Sequence, residues 1–356
     1  MNNARRTTQR SIELMLGVSA WIALLPGAGY CAPGPSQQEA KITVVTGFGE
    51  VSPAIAQLIE AVSLGFPQPL VVETDQPFAH SLLATEELVL RHGTTLTLDV
   101  GVGEDSHDRY ILVRRIRVVP GPGNAPVITW SRGFAPPFIP PPVGKADPGQ
   151  NGDRDGADGR AGSDGLGGNS GFPGQSAPTF YLAVGDIVGG DVYFDLRGQD
   201  GGVGGDGETG GDGGNGASGA AAAVTLWGCK VSPGKGGRGG RGGHGGFGGP
   251  GGRGGNGGAL ILVASPDRLS HLASNIRAIV LAGSPGRGGR EGQGGDGGLG
   301  GPGGAGFGLC SNGVSGQTGV AGSKGDPNKQ LGPRGVDGTF LGVPVTDSVL
   351  TRMQLQ

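Results

Sequence analysis

The sequence predicts a mostly β and irregular protein: a small β-rich N-terminal domain with one helix, then a slab of antiparallel helices of the polyproline-II kind joined by β-strand connectors. Three observations predict it. Glycine supplies 81 of 356 residues, while aromatic side chains make up 5% and charged ones 16%, so an ordinary apolar core cannot hold the whole chain. In the second half glycine recurs at every third residue, the repeat of a helix with three residues per turn. Residues 41–133 read instead as a conventional domain of strand-like runs.

Residues 1–29 read as a secretory signal. Arg5, Arg6 and Arg10 form a positive start, Leu14 to Leu25 is a mostly apolar run ended by Pro26, and Gly27, Ala28 and Gly29 suit cleavage. That run is shorter than the ~20 residues a membrane span needs, and no later segment could span a bilayer. The mature chain is therefore expected outside the cytoplasm, with Cys31 near its new start.

Residues 30–135 form the predicted N-terminal domain. Ser52-Pro53 opens a helix with Ile55, Leu58, Ile59 and Val62 at helical spacing, and Gly65 stops it. Strand-like runs follow at 87–90, 95–100, 110–119 and 127–130, with His92-Gly93 where a tight turn would join the first two. The proline-rich residues 136–143 are a stiff spacer and mark the boundary.

Residues 144–340 hold five glycine tracts, and residues 341–356 form a tail expected to pack on a β-rich cap. In the third tract, Gly234 to Gly258, two triplet positions are glycine and the third carries Lys235, Arg238, Arg241, His244, Phe247, Pro250, Arg253 and Asn256. The second tract, Gly198 to Gly219, carries Asp200, Val203, Asp206, Thr209, Asp212 and Asn215 on one face. A bare glycine face admits a neighbouring backbone, so tracts two to four are expected inside the slab and tracts one and five at its edges. The stripes Asp200, Asp206, Asp212 and Lys235, Arg238, Arg241, Arg253 are expected to pair, Asp212 near Arg241 and Asp200 near Arg253. Proline, at 26 residues, is too scarce for collagen.

These Gly-Gly-X tracts resemble the polyglycine-II bundles of some phage tail-tip adhesins, a springtail antifreeze protein and the glycine-rich region of certain receptor kinases. The resemblance covers about residues 149–340, rests on architecture alone, and implies a rigid scaffold presenting loops or faces, with no site residue carried over.

Other motifs are better read as parts of the repeat. Ser170 in Gly168-Asn169-Ser170-Gly171 resembles a protease nucleophile motif, but the tract explains its glycines. Asp206 and Asp212 fall in two stretches resembling calcium-binding nonapeptides, yet the required large apolar residue is replaced by Glu208 and Ala217. Calcium is thus a weak candidate, and otherwise no cofactor is implied. Gly237–Gly243 reads as an RGG box, but the signal sequence puts it in the wrong compartment, and the net charge of −3 makes no case for nucleic acid or a membrane surface. Cys229 and Cys310 flank tracts three and four and are expected to form a disulfide at one end of the slab, near the N-terminal domain.

The function these features imply is that of a non-enzymatic secreted or cell-surface structural or adhesive protein, with a surface glycan or protein as partner. The alternatives are a glycan- or ice-binding module and a β-solenoid polysaccharide-active enzyme. The contact loops are expected at Gly185–Gly190 and Arg268–Ser274.

Overall fold

The computed structural model describes residues 39–44, 56, 58–60, 68–99, 108–132, 144–325 and 331–355. The signal segment, Cys31, the proline-rich spacer and most of the expected 52–65 helix lie outside them, although Leu58–Glu60 are helical and Leu58 is fully buried.

The regular structure is two parallel sheets with few helices. The strands are β1 (Ile42–Val44), β2 (Leu70–Val72), β3 (Gln76–Phe78), β4 (Leu82–Arg91), β5 (Thr95–Leu98), β6 (Arg109–Val119), β7 (Val127–Trp130), β8 (Thr179–Val188), β9 (Val192–Asp195), β10 (Ala223–Thr225), β11 (Gly228–Val231), β12 (Ala259–Ala264), β13 (Ile276–Ile279) and β14 (Thr339–Pro344). One sheet has seven strands in the order β1-β14-β12-β8-β6-β4-β2, the other five in the order β13-β9-β7-β5-β3. From β2 onward, the β10–β11 hairpin aside, successive strands alternate between the sheets, so the chain winds in coils, each adding one strand to each layer. Among the described residues two complete helices, α1 (Pro266–Ser274) and α2 (Asp347–Arg352), accompany the sheets.

This corrects the predicted fold class. No separate N-terminal β domain exists, because β6 pairs with β8 from Arg109↔Phe180 to Arg117↔Val188 and β7 pairs with β9. The strands assigned to an N-terminal domain and those assigned to connectors are neighbours in the same sheets. The glycine tracts carry neither helix nor strand over their lengths, so the slab of polyglycine-II helices is replaced by extended segments attached to a parallel-sheet base. The physical reason is that a parallel pair needs a crossover, not a hairpin, and here the crossovers include whole glycine tracts, which hide the pairing of distant strands.

His92-Gly93 shows the same error locally. It is a corner that passes the chain from β4 in one sheet to β5 in the other, with Gly93 at φ +80° and donating its N–H to Asn124 O at 2.7 Å. A Cβ on Gly93 would lie 2.8 Å from Pro122 O in the next coil's corner, so glycine is required twice over, by conformation and by stacking.

The core fills the space between the sheets. Leu83, Leu88, Leu96, Ile111, Ile116, Ile128, Leu182 and Phe194 are all buried there, and Phe180 meets Phe194 edge to face. A second cluster lies outside the larger sheet, where Val349, Leu350 and Met353 of the tail cover Leu112, Ala183, Val263 and Val343. Strands β6, β8 and β12 therefore bury both faces, which is why they read as nearly continuous apolar runs.

Three long excursions leave the smaller sheet and return to the larger one. The first joins β7 to β8, the second β9 to β12 through the β10–β11 hairpin, and the third β13 to β14. Each goes out and back, so consecutive tracts run antiparallel. Outgoing segments lie side by side: Gly201 N–H donates to Ser284 O at 2.9 Å and Gly204 N–H to Arg287 O at 2.8 Å. Returning segments do the same, with Gly159 N–H donating to Arg238 O and Gly239 N–H to Gln317 O, both at 2.8 Å. Between layers, Gly202 N–H donates to Phe172 O and Gly298 N–H to Gly240 O, both at 2.8 Å. The arrangement is two layers of three, not one row of five with edges at tracts one and five.

Candidate functional site

The far end of the excursions gathers the most exposed apolar side chains. The turn between β10 and β11 carries Leu226 and Trp227, exposed to 97% and 93%, and the third excursion's turn carries Leu309 at 84% and Phe307 at 62%. Val224 and Val231 on the hairpin are about half exposed. Soluble proteins seldom leave such a group uncovered without a use for it.

Local chemistry builds this tip. Beyond Gly219 the in-phase glycines give way to Ala220, Ala221 and Ala222, and the chain forms a short antiparallel hairpin with Val224↔Cys229 and Thr225↔Gly228 in register. Thr225 Oγ1 donates to Gly228 O at 3.2 Å across the turn. Ala222 N–H donates to Ala305 O at 2.8 Å, tying the second excursion to the third. Cys229 and Cys310 are joined by a disulfide with Cα atoms 5.3 Å apart. It sits at the end away from the sheets, so the sequence reading that placed these cysteines near the N-terminal strands is corrected: those strands belong to the sheet end.

The charged stripes are placed differently from expectation. Asp200, Asp206 and Asp212 do not face Arg241 or Arg253. Their carboxylates accept the backbone N–H groups of Ser284, Arg290 and Asp296 on the next outgoing segment at 2.6, 2.7 and 2.8 Å, and Asn215 accepts that of Leu299 at 2.8 Å. The returning layer repeats this, Asp158 accepting Arg238 N–H and Asp164 accepting His244 N–H at 2.6 and 2.7 Å. At these positions a short acceptor side chain on the neighbouring segment takes the backbone N–H, so the donor is satisfied without a carbonyl. Sequence reading saw a charge stripe and missed this ladder. The offset between partners, 84 residues in one layer and 80 in the other, is the only signal it leaves.

The basic residues face solvent. Arg241 contacts the His244 ring, Arg253 Nη2 donates to Asn256 Oδ1 at 3.3 Å, and Lys235 lies exposed beside the tip. Asp212 is also paired with Lys145 at 2.6 Å. The Lys145 hydrogen bond first, and the Asp296 N–H second, hold the Asp212 carboxyl below the ordinary range. Asp164, His244 and Ser323 lie on three adjacent segments, but Asp164 binds the His244 backbone and not its ring, so they lack the wiring of a catalytic triad. Among the described residues no group of three or more His, Cys, Asp or Glu is placed to hold a metal ion, and the calcium candidates Asp206 and Asp212 direct their carboxylates at backbone N–H groups.

A second cluster sits on the base, where residues 86–87 of β4, 114–115 of β6 and 185–186 of β8 lie side by side. A cavity of about 390 Å³ is lined there by Glu86, Glu87, Arg114, Arg115, Asp186 and Arg268. Glu86 pairs with Arg114 at 3.5 Å and Glu87 with Arg117 at 3.1 Å. The register Glu87↔Arg115↔Asp186 places carboxylates and a basic residue on adjacent strands. The expected contact loops fall on the base too, Gly185–Gly190 at this cluster and Arg268–Ser274 within α1.

No protein-family model matches the chain, and no curated protein is similar to it. Among solved structures, it is similar to a springtail antifreeze protein from Granisotoma rainieri, described as a bundle of nine polyproline type II helices, with 24% identity over 50% of this chain and 93% of that one and a TM-score of 0.08. Among the described residues no helix is long and apolar enough to cross a membrane.

Proposed function

We propose that this is a non-enzymatic, extracytoplasmic attachment protein. The parallel-sheet base anchors three excursions, the glycine segments hold them as one stiff projection, and the disulfide-joined tip makes the contact. The observation that carries the reading is the exposure of Leu226, Trp227 and Leu309 at the point farthest along the chain from the sheets. Loops on a rigid frame are where binding residues concentrate, and aromatic anchors dominate contact energies. The disulfide fits an oxidising compartment, as does the signal-like start.

The test is attachment of the purified chain to the surface of the producing cell and of its neighbours. Leu226→Ser with Trp227→Ser should abolish retention while the thermal midpoint stays put. Unchanged retention would discard the reading.

One observation favours a second reading. The cavity on the base places three carboxylates and three guanidinium groups on the outside of a parallel-sheet coil, a setting suited to a charged saccharide. Under that reading Glu87→Gln removes a measurable activity on acidic polysaccharides, and a wild-type chain inert on them removes the reading.

A further inference from the structure

We infer that the tip inserts into the headgroup region of an anionic lipid bilayer. The inference rests on the attachment reading and names its partner.

Four features point to lipid. First, Leu226 and Trp227 stand at 97% and 93% exposure on a turn, and Phe307 and Leu309 on the adjoining one; these side chains project and do not line a cleft. A projecting apolar tip fits a deformable apolar medium, and tryptophan in particular settles at the lipid–water boundary, where its ring is buried and its N–H stays wet.

Second, the local charge differs from the chain's net charge of −3. The sequence holds no Asp or Glu from Gly213 to Pro266 or from Gly297 to Gly325, while Lys230 and Lys235 are exposed on the hairpin and at its base. The carboxylates of Asp153 and Asp155 belong to the first excursion's turn, which stands level with Lys235 and stops short of the β10–β11 hairpin: Gly156 N–H donates to Ser218 O, and a Cβ on Gly156 would lie 2.8 Å from Lys235 O. Lysines beside an apolar tip attract an anionic surface, each contributing several-fold in affinity.

Third, the charge argues against a second copy as occupant. Tip-to-tip pairing would bring Lys230 of the hairpin toward its equivalent, with no Asp or Glu on either hairpin to offset it.

Fourth, the tip is held before it binds. The Cys229–Cys310 disulfide and the Ala222–Ala305 hydrogen bond join the two turns, so the four apolar side chains need not be brought together at the moment of contact. This lowers the ordering cost of insertion.

The experiment uses the full mature chain with vesicles of phosphatidylcholine alone or containing 30% phosphatidylglycerol. The expected result is co-sedimentation with the anionic vesicles and a blue shift of tryptophan emission. That shift should vanish in Trp227→Phe, since Trp130 is buried. Leu226→Ser and Leu309→Ser should each weaken partition by roughly tenfold. Lys230→Glu and Lys235→Glu should each weaken it several-fold on anionic vesicles and leave neutral vesicles unaffected. Arg241→Ala, on the side of the projection, should change nothing.

Absence of binding at every lipid composition, or binding that ignores the tip substitutions, overturns the inference. If the tip variants lose cell attachment while wild type ignores vesicles, the lipid partner is wrong and a protein or glycan receptor takes its place, with the attachment reading intact. If tip variants keep cell attachment, both readings fall together.

Discussion

The base and the projection are the same two layers built at different spacings. In the base, sheets packed face to face stand about 10 Å apart because side chains fill the gap, here Leu182, Phe194 and their neighbours. In the projection, the inward positions are glycine, and the layers approach until they exchange backbone hydrogen bonds, as Gly202 N–H does with Phe172 O. The lateral bonding hardly changes at the junction: Leu196 N–H donates to Ile279 O and Gly198 N–H to Leu281 O, and the series continues with Gly201 to Ser284. What differs is the source of cohesion across the layers. The base relies on removing apolar surface from water. The projection relies on pairing inward backbone groups with one another across the layers, as Gly202 with Phe172 and Gly298 with Gly240, and its ordered glycines each cost about 1–2 kcal/mol of backbone entropy.

The sharpest way to break this comparison is to exchange side-chain size between the two regions. Gly240 packs so closely on Arg160 that a Cβ would overlap its carbonyl group. Gly240→Val should part the layers and cost about 3 kcal/mol or more, beyond ordinary overpacking. Leu182→Ala, fully buried in the base, should cost about 2–5 kcal/mol through the cavity it leaves. Hydrogen exchange distinguishes them: the first should release amides along 198–304, the second those of β6, β8 and β12. If both variants loosened the same amides, the regions would be one cohesive unit and the distinction would fail.

The disulfide gives the next largest effect. Its cysteines are 81 positions apart, and closing a loop of that size restricts the unfolded chain by about 4 kcal/mol in the entropy model. Cys229→Ser with Cys310→Ser should lower stability by up to that amount and free the tip turns, while leaving β4, β6 and β8 protected. Loss of protection in those strands would mean that the tip supports the base, contrary to the comparison.

How much of this was legible depends on which bonds are local. The glycine phase could be read directly, and it located the segments and their antiparallel order. The Cys229–Cys310 pairing followed from the same order. The parallel sheets could not be read, because β6 and β8 are separated by β7 and then by an excursion, residues 131–178, that carries no strand signal. Nor could the role of Asp206: an aspartate every sixth residue looks like charge until the N–H of Arg290 is found against it. The tip was hidden for a different reason. Leu226 and Trp227 are ordinary turn-flanking residues in sequence, and only exposure in the folded chain separates them from a small core.

A smaller effect comes from acid. Burial alone would push Asp195 up, but hydrogen bonds from Arg197 and the charge of Arg132 overcome it and hold the carboxyl below the ordinary range. Asp212 is held low by Lys145 and the Asp296 N–H. A carboxyl with a depressed folded pKa adds stability that is fully present above its unfolded value, near 3.9, and is lost as pH falls through the folded value. Thermal midpoints should therefore be flat from neutral pH to about 5 and fall below 4. Asp195 stands where β9 passes into the projection, so Asp195→Asn should flatten part of that fall. An unchanged acid profile in Asp195→Asn would remove this junction from the account.

The smallest effect separates an acidic residue of the outgoing layer from a basic one of the returning layer. Asp206 accepts the Arg290 N–H, whereas Arg241 touches only the His244 ring on the exposed face. Removing an acceptor leaves a backbone donor without its partner, and Asp206→Ala should cost about 1 kcal/mol. Asp206→Asn keeps an oxygen in place and should recover most of it, which a simple charge stripe would not allow. Arg241→Glu together with Arg253→Glu should stay within about 0.5 kcal/mol, as exposed substitutions away from special contacts do, and should show little salt dependence because no carboxylate of the second tract faces them. Had the stripes paired as their sequence suggests, the double reversal would cost more than Asp206→Asn, and salt would relieve it. Measuring the three variants at low and high ionic strength thus decides whether the acidic residues serve the backbone or the basic side chains. The 84-residue ladder predicts the backbone.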